Sequence, residues 1–84
     1  NNNENVLTVF PNPSKNIFTV ILKNNYIEKV EVINELGQIV FEKENIKSNE
    51  YLLDIRNHID GIYFLKTIDN TNTVSYRKIV LLIQ

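Results

Sequence analysis

An all-β fold, an immunoglobulin-like antiparallel Greek-key sandwich of about seven strands, is what this 84-residue chain predicts. Three observations carry that expectation. Ala is absent while Ile, Val, Thr, Tyr and Phe abound, a composition that disfavours helix and suits packed, pleated strands. Apolar residues recur with a period of two and nowhere at helical spacing. Clusters of Pro, Gly, Asn and Asp punctuate the alternating segments. A small, partly open barrel is the second architecture.

The N-terminal tract Asn1-Asn2-Asn3-Glu4-Asn5 has nothing to bury and reads as a linker end. The domain proper spans 6–84. Val6–Phe10 is a short first strand, stopped by Pro11-Asn12-Pro13. Those prolines fix φ, remove two backbone donors and hold the preceding residues extended, giving a stiff bend. Ile17–Leu22 follows, with Phe18, Val20 and Leu22 on one face and Ile17, Thr19 and Ile21 on the other. Lys23-Asn24-Asn25 closes it as a turn. In Lys29–Ile33, Val30 and Val32 alternate with charge, the pattern of a strand with one wet face.

Asn34-Glu35-Leu36-Gly37 is a hairpin signal: Asn opens a type I turn and Gly supplies the positive φ of the following bulge. Gln38–Glu44 then returns antiparallel, and Asn45–Asn49 reads as a polar connection carrying Ile46. Glu50–Ile55 puts Tyr51, Leu53 and Ile55 on one face, with Leu52 and Asp54 opposite. Next comes a corner at Ile59-Asp60-Gly61, feeding a strand with Tyr63, Leu65 and Thr67 on one side and Ile62, Phe64 and Ile68 on the other. Large apolar groups on both sides predict a strand covered on both faces. Tyr63 after a glycine corner also fits a tyrosine corner, its ring buried and its hydroxyl tied to the preceding turn. Asp69-Asn70-Thr71-Asn72 makes a further turn, and Thr73–Ile83 the last strand.

Composition bounds function as well. Eighty-four residues make one domain near the lower size limit for a self-sufficient core. Without Cys there is neither a disulfide framework nor a thiolate metal site, and the redox compartment stays unreadable. Nine basic and ten acidic residues, interspersed to a net charge of −1, lack the basic stripe that nucleic acid requires. The apolar run Ile79–Ile83 is too short for a transmembrane segment. No signal peptide stands in the chain; one would lie upstream of whatever precedes Asn1.

Catalytic chemistry finds little material. One His and three Ser leave few nucleophile–base pairs. His58, between Arg56 and Asp60, reads as loop punctuation rather than an acid–base group. Asp69, Asn70 and Asn72 offer oxygen ligands, yet the glycine and later acidic ligand of a calcium loop are missing. Asn12-Pro13-Ser14 carries the proline that bars glycosylation. The chain is expected to be no enzyme and to hold no cofactor or metal.

Two features go unused by a plain sandwich: the Pro11-Asn12-Pro13 bend and the terminal run Ile79-Val80-Leu81-Leu82-Ile83. Either the last strand lies centrally, dry on both faces, or part of it is a docking surface, since an exposed apolar strand invites pairing.

Four segments share a familiar order and spacing: Val9-Phe10-Pro11-Asn12-Pro13, Val32–Val40, Asp60–Leu65 and Tyr76-Arg77-Lys78-Ile79-Val80. Together they resemble a type A C-terminal sorting domain of the bacterial type IX secretion system, over about Val6 to Gln84. Each motif is weak alone; four in order are specific. The resemblance implies an immunoglobulin-like fold and a delivery signal borne by exported cargo of Bacteroidota. An N-terminal cargo domain would reach the periplasm by its own signal peptide. The outer-membrane type IX translocon would then recognise the sorting domain. A sortase-like surface peptidase would remove it as the cargo is attached to the surface, giving a secreted or cell-surface location.

Carried over motif by motif, Phe10, Pro11, Asn12 and Pro13 form the first recognition element and Gly37 belongs to the central hairpin. Gly61 and Tyr63 belong to the third motif, and Lys78, Ile79 and Val80 form the terminal one. Phe10 stands where the family often has Tyr. Leu81 stands where a Lys often follows the terminal apolar pair. The competing reading is an adhesion or carbohydrate-binding β-sandwich appended to a secreted enzyme; the absence of Trp is set against it. A passive spacer is a third.

Overall fold

The computed structural model describes residues 6–82 and is all-β: seven strands in two antiparallel sheets. The strands are β1 (Val6–Phe10), β2 (Ile17–Lys23), β3 (Ile27–Ile33), β4 (Ile39–Ser48), β5 (Glu50–Asp54), β6 (Gly61–Asp69) and β7 (Val74–Leu81). One sheet has the order β1-β2-β5 and the other β4-β3-β6-β7. The chain crosses between layers after β2, β4 and β5, the Greek-key connectivity of an immunoglobulin-like sandwich. The tract 1–5, read above as a linker end, and residues 83–84 lie outside the described residues.

Alternation decides what is buried. From the first sheet Leu7, Phe18, Val20, Leu22 and Leu53 point inward, each no more than 3% exposed. Val30, Val32, Tyr63, Leu65, Ile79 and Leu81 meet them from the second. At about 25 cal/mol per Å² of apolar area removed from water, this interface is the main stabilising term. The face assignments for β2 and β5 hold as read from the sequence.

For β6 the inward row is Tyr63, Leu65 and Thr67, as expected, but the other face is not covered. Phe64 is 39% exposed there, and Ile62, Lys66 and Ile68 are half-buried. The reason is architectural: the described residues form two layers, so among them each sheet has one face without a lid. Of the expected last strand Thr73–Ile83, β7 takes Val74–Leu81 and leaves out Thr73 and Leu82, while Ile83 lies outside the described residues; β7 is an edge strand rather than a central one.

The Asn34–Gly37 hairpin forms as its residues dictate. Gly37 N–H donates to Asn34 O at 3.0 Å, and Gly37 has φ +85. The Asn34 carboxamide Oδ1 accepts from the N–H groups of Leu36 and Gln38, each at 2.9 Å. The 45–49 segment differs from expectation. Instead of a loop, β4 continues to Ser48, with its three residues 45–47 standing opposite Glu28 alone between Lys29↔Glu44 and Ile27↔Ser48. Asn45 and Lys47 take positive φ, 59 and 54, which absorbs the excess as a bulge. Ile46 thereby packs against the core.

Candidate recognition site

The two segments that a plain sandwich leaves unused meet each other. After β1 the chain bends through Pro11-Asn12-Pro13, both X–Pro bonds cis, and runs beside the outer edge of β7. Proline has no N–H, so within the bend pairing falls to the Asn12 side chain. A carboxamide carries one acceptor and one donor group, like a peptide unit. Asn12 Nδ2 donates to Lys78 O at 2.9 Å, and Asn12 Oδ1 accepts from Val80 N–H at 2.9 Å. The next backbone continues the ladder: Ser14 N–H donates to Val80 O at 3.0 Å, and Leu82 N–H donates to Ser14 O at 2.8 Å. Ser14 is itself buried, its hydroxyl donating to Ile17 O at 2.7 Å.

This clip closes the edge of β7 from Lys78 to Leu82. Just before it, Arg77 Nη2 donates to Leu7 O at 2.7 Å, stitching β7 to β1 of the opposite sheet. An edge strand otherwise presents unpaired donors and acceptors to any passing strand. Here the terminal segment offers side chains rather than backbone.

Those side chains alternate. Ile79 and Leu81 are fully buried; Lys78, Val80 and Leu82 face outward. Cross-strand register extends the outward face over the sheet in rows: Ile39, Ile33, Phe64 and Lys78, then Ile62 and Val80. Lys78 is the charge within these rows, and among the described residues it makes no ion pair. The neighbouring row changes character: Glu42, Glu31, Lys66 and Tyr76. There Glu31 takes Lys29 Nζ at 3.1 Å and Lys66 Nζ at 3.6 Å. The Glu31 side chain, with the other nearby carboxylates, raises the Lys29 ammonium above its ordinary value.

The remaining expected site residues have distinct places. Phe10 is 46% exposed at the end of β1, and Gly37 is exposed at the hairpin tip. Gly61, at φ +153, opens β6 opposite Leu81. Tyr63 is buried and its hydroxyl donates to Ile59 O, so the tyrosine corner is present. Burial first, and Asp60 second, push its phenol above the ordinary value. Ile79 and Tyr63 face the core, so they can shape a recognition surface without touching a partner. Sequence reasoning missed Ser14, Arg77 and the cross-strand rows through Ile39, Ile33 and Phe64; only register brings these together.

The candidate chemical residues are structural. His58 Nε2 pairs with Val40 O at 3.2 Å, and its ring stands edge-on to Tyr63. Asp69 Oδ1 accepts from Thr71 N–H, Thr71 Oγ1 and Thr73 N–H at 2.7–2.9 Å, which organises the β6–β7 turn. Among the described residues no three His, Asp or Glu side chains gather as a metal site. At the far end of the sandwich, a shallow depression is lined by Asn24, Asn25, Tyr26, Asn49 and Asn70. Asn70 Oδ1 accepts from Tyr26 N–H at 2.9 Å, so that carboxamide holds two loops together.

The geometry of the clip joins the first and last motifs of the resemblance, and residues 8–82 match the family described as the secretion system C-terminal sorting domain. The chain belongs to the type IX sorting-domain family. Such domains mark proteins exported across the outer membrane, to be secreted or held at the cell surface, and are not catalytic. The sorting domain is also similar to ulvan lyase NLR42 of Nonlabens ulvanivorans, 33% identical over 73 residues. That match covers 87% of this chain and 14% of the lyase. The sorting domain thus spans a small part of the curated relative it matches.

Proposed function

We propose that this sorting domain is read at the clipped end of β7, by the outer-membrane translocon, as the export signal of an upstream cargo. A sortase-like peptidase then removes it while the cargo is attached to the cell surface. The observation supporting this reading is the four-bond union of Asn12 and Ser14 with Lys78–Leu82. Motifs 66 residues apart in the chain form one unit, and that unit displays Lys78 and Val80. Pro11 and Pro13 hold the clip in place, while Ile79 anchors the strand beneath it. Gly37 and Gly61 shape the hairpin and corner at the same end, and Phe10 is exposed nearby.

The experiment is a reporter carrying a signal peptide and this domain, followed to the surface of a bacterium with a type IX system. Lys78 is exposed and makes no ion pair among the described residues, so Lys78→Glu leaves the melting temperature nearly unchanged. The folded Lys78→Glu fusion is expected to stay in the periplasm while the parent reaches the surface. Normal delivery of Lys78→Glu removes the lysine from the signal. A parent fusion that never leaves the periplasm overturns the sorting role and favours the adhesion module.

A further inference from the structure

Resting on that reading, we infer that the translocon docks on the open face of the four-stranded sheet beside β7, presenting an apolar surface that carries a carboxylate for Lys78. The face is formed by the rows through Ile39, Phe64 and Lys78 and through Ile62 and Val80, with Leu82 at their end. Ile39 is 52%, Phe64 39% and Leu82 48% exposed. A contiguous apolar patch rimmed by ion-paired residues is the signature of a protein interface. Here the rim is the Lys29–Glu31–Lys66 network.

Two facts select the occupant. The clip takes up Lys78 O, Val80 N–H, Val80 O and Leu82 N–H, so a partner cannot add a strand over that edge. Recognition therefore goes through side chains. Second, the apolar rows contain Lys78 and no acid. A second copy docked through the same face would bury a lysine from each chain without a counter-charge, which is strongly unfavourable. A partner supplying a carboxylate within an apolar surface satisfies both demands. A lone cation is also too little for an anionic membrane surface, which is read by clusters of basic residues.

The test uses the same signal-peptide fusion with Phe64→Ser, Ile39→Ser and, as control, Leu52→Ser on the outer face of the other sheet, where Leu52 is 59% exposed. Thermal melts establish which variants fold; Ile39 is the more exposed of the two test sites and so the safer one. Surface delivery of folded Phe64→Ser or Ile39→Ser is expected to fall about tenfold, as for central interface anchors, with Leu52→Ser like the parent. Parent-like delivery of both test variants, or equal loss in Leu52→Ser, overturns the docking face while leaving the sorting role intact. Failure of the parent fusion itself overturns the sorting role and the face with it. In sedimentation the isolated domain is expected to be monomeric. A dimer dissolved by Phe64→Ser assigns the face to a second copy, and Phe64-dependent binding to anionic vesicles assigns it to a membrane; either result overturns the inference.

Discussion

Tyr63 shows how one side chain ties a turn to the core. The residue is 6% exposed, and its hydroxyl spans back four residues to Ile59 O. Tyr63→Phe keeps the ring and deletes the donor, so the expected loss is about 1 kcal/mol, the net value of an ordinary hydrogen bond. The pH dependence has a defined sign. Burial, with Asp60, raises the phenol above its ordinary 10.0. A group whose folded value is raised contributes fully below the unfolded value and loses that contribution as pH rises through the folded one. Parent stability is therefore expected to fall above pH 10.0 more steeply than that of Tyr63→Phe. Burial raises Tyr51 as well, so the difference between the two profiles is the quantity to measure. Parallel chemical-denaturation profiles would remove the corner from the account. The corner was legible in the sequence because it is local: a glycine, a two-residue step, a tyrosine.

At the scale of elements, local signals and distant ones divide. The Asn34–Gly37 hairpin could be read because its bonds link residues within four of one another. The continuation of β4 through 45–48 could not, because it depends on the register with β3 and on two non-glycine residues at positive φ. The clip was equally hidden. Pro-Asn-Pro announces a bend, and an apolar terminal run announces a strand, but nothing local says that Asn12 completes the edge of that strand. Asn12→Ala is expected to leave Lys78 O and Val80 N–H without their side-chain partner at the sheet edge. The expected cost is about 1–2 kcal/mol for two bonds at an exposed edge, where water can replace part of what is lost. Amide exchange reads the effect directly: Val80 N–H is expected to exchange faster in Asn12→Ala while amides paired between β3 and β6 stay protected. Unchanged protection at Val80 would show that Ser14 alone holds the edge.

Across the whole molecule the terminal strand is both core and display. Ile79 and Leu81 are fully buried, and Lys78, Val80 and Leu82 face out of the same five residues. The sequence left open whether this run is core or docking surface; alternation lets one strand supply the buried side and the side proposed for docking. Removing residues 78–84 therefore cannot separate recognition from folding. Two buried aliphatic side chains are worth about 1.5–3 kcal/mol each, before the loss of the clip and of β7's pairing with Gly61–Phe64. Native stabilities are only about 5–15 kcal/mol, and a domain this small sits toward the low end. The truncated chain is accordingly expected to be unfolded, with collapsed proton chemical-shift dispersion and no cooperative melt. Lys78→Glu, by contrast, is expected to melt like the parent. A truncated chain that keeps a dispersed spectrum would mean that the remaining six strands close their own core. Export lost in such a folded truncation could then be assigned to recognition alone.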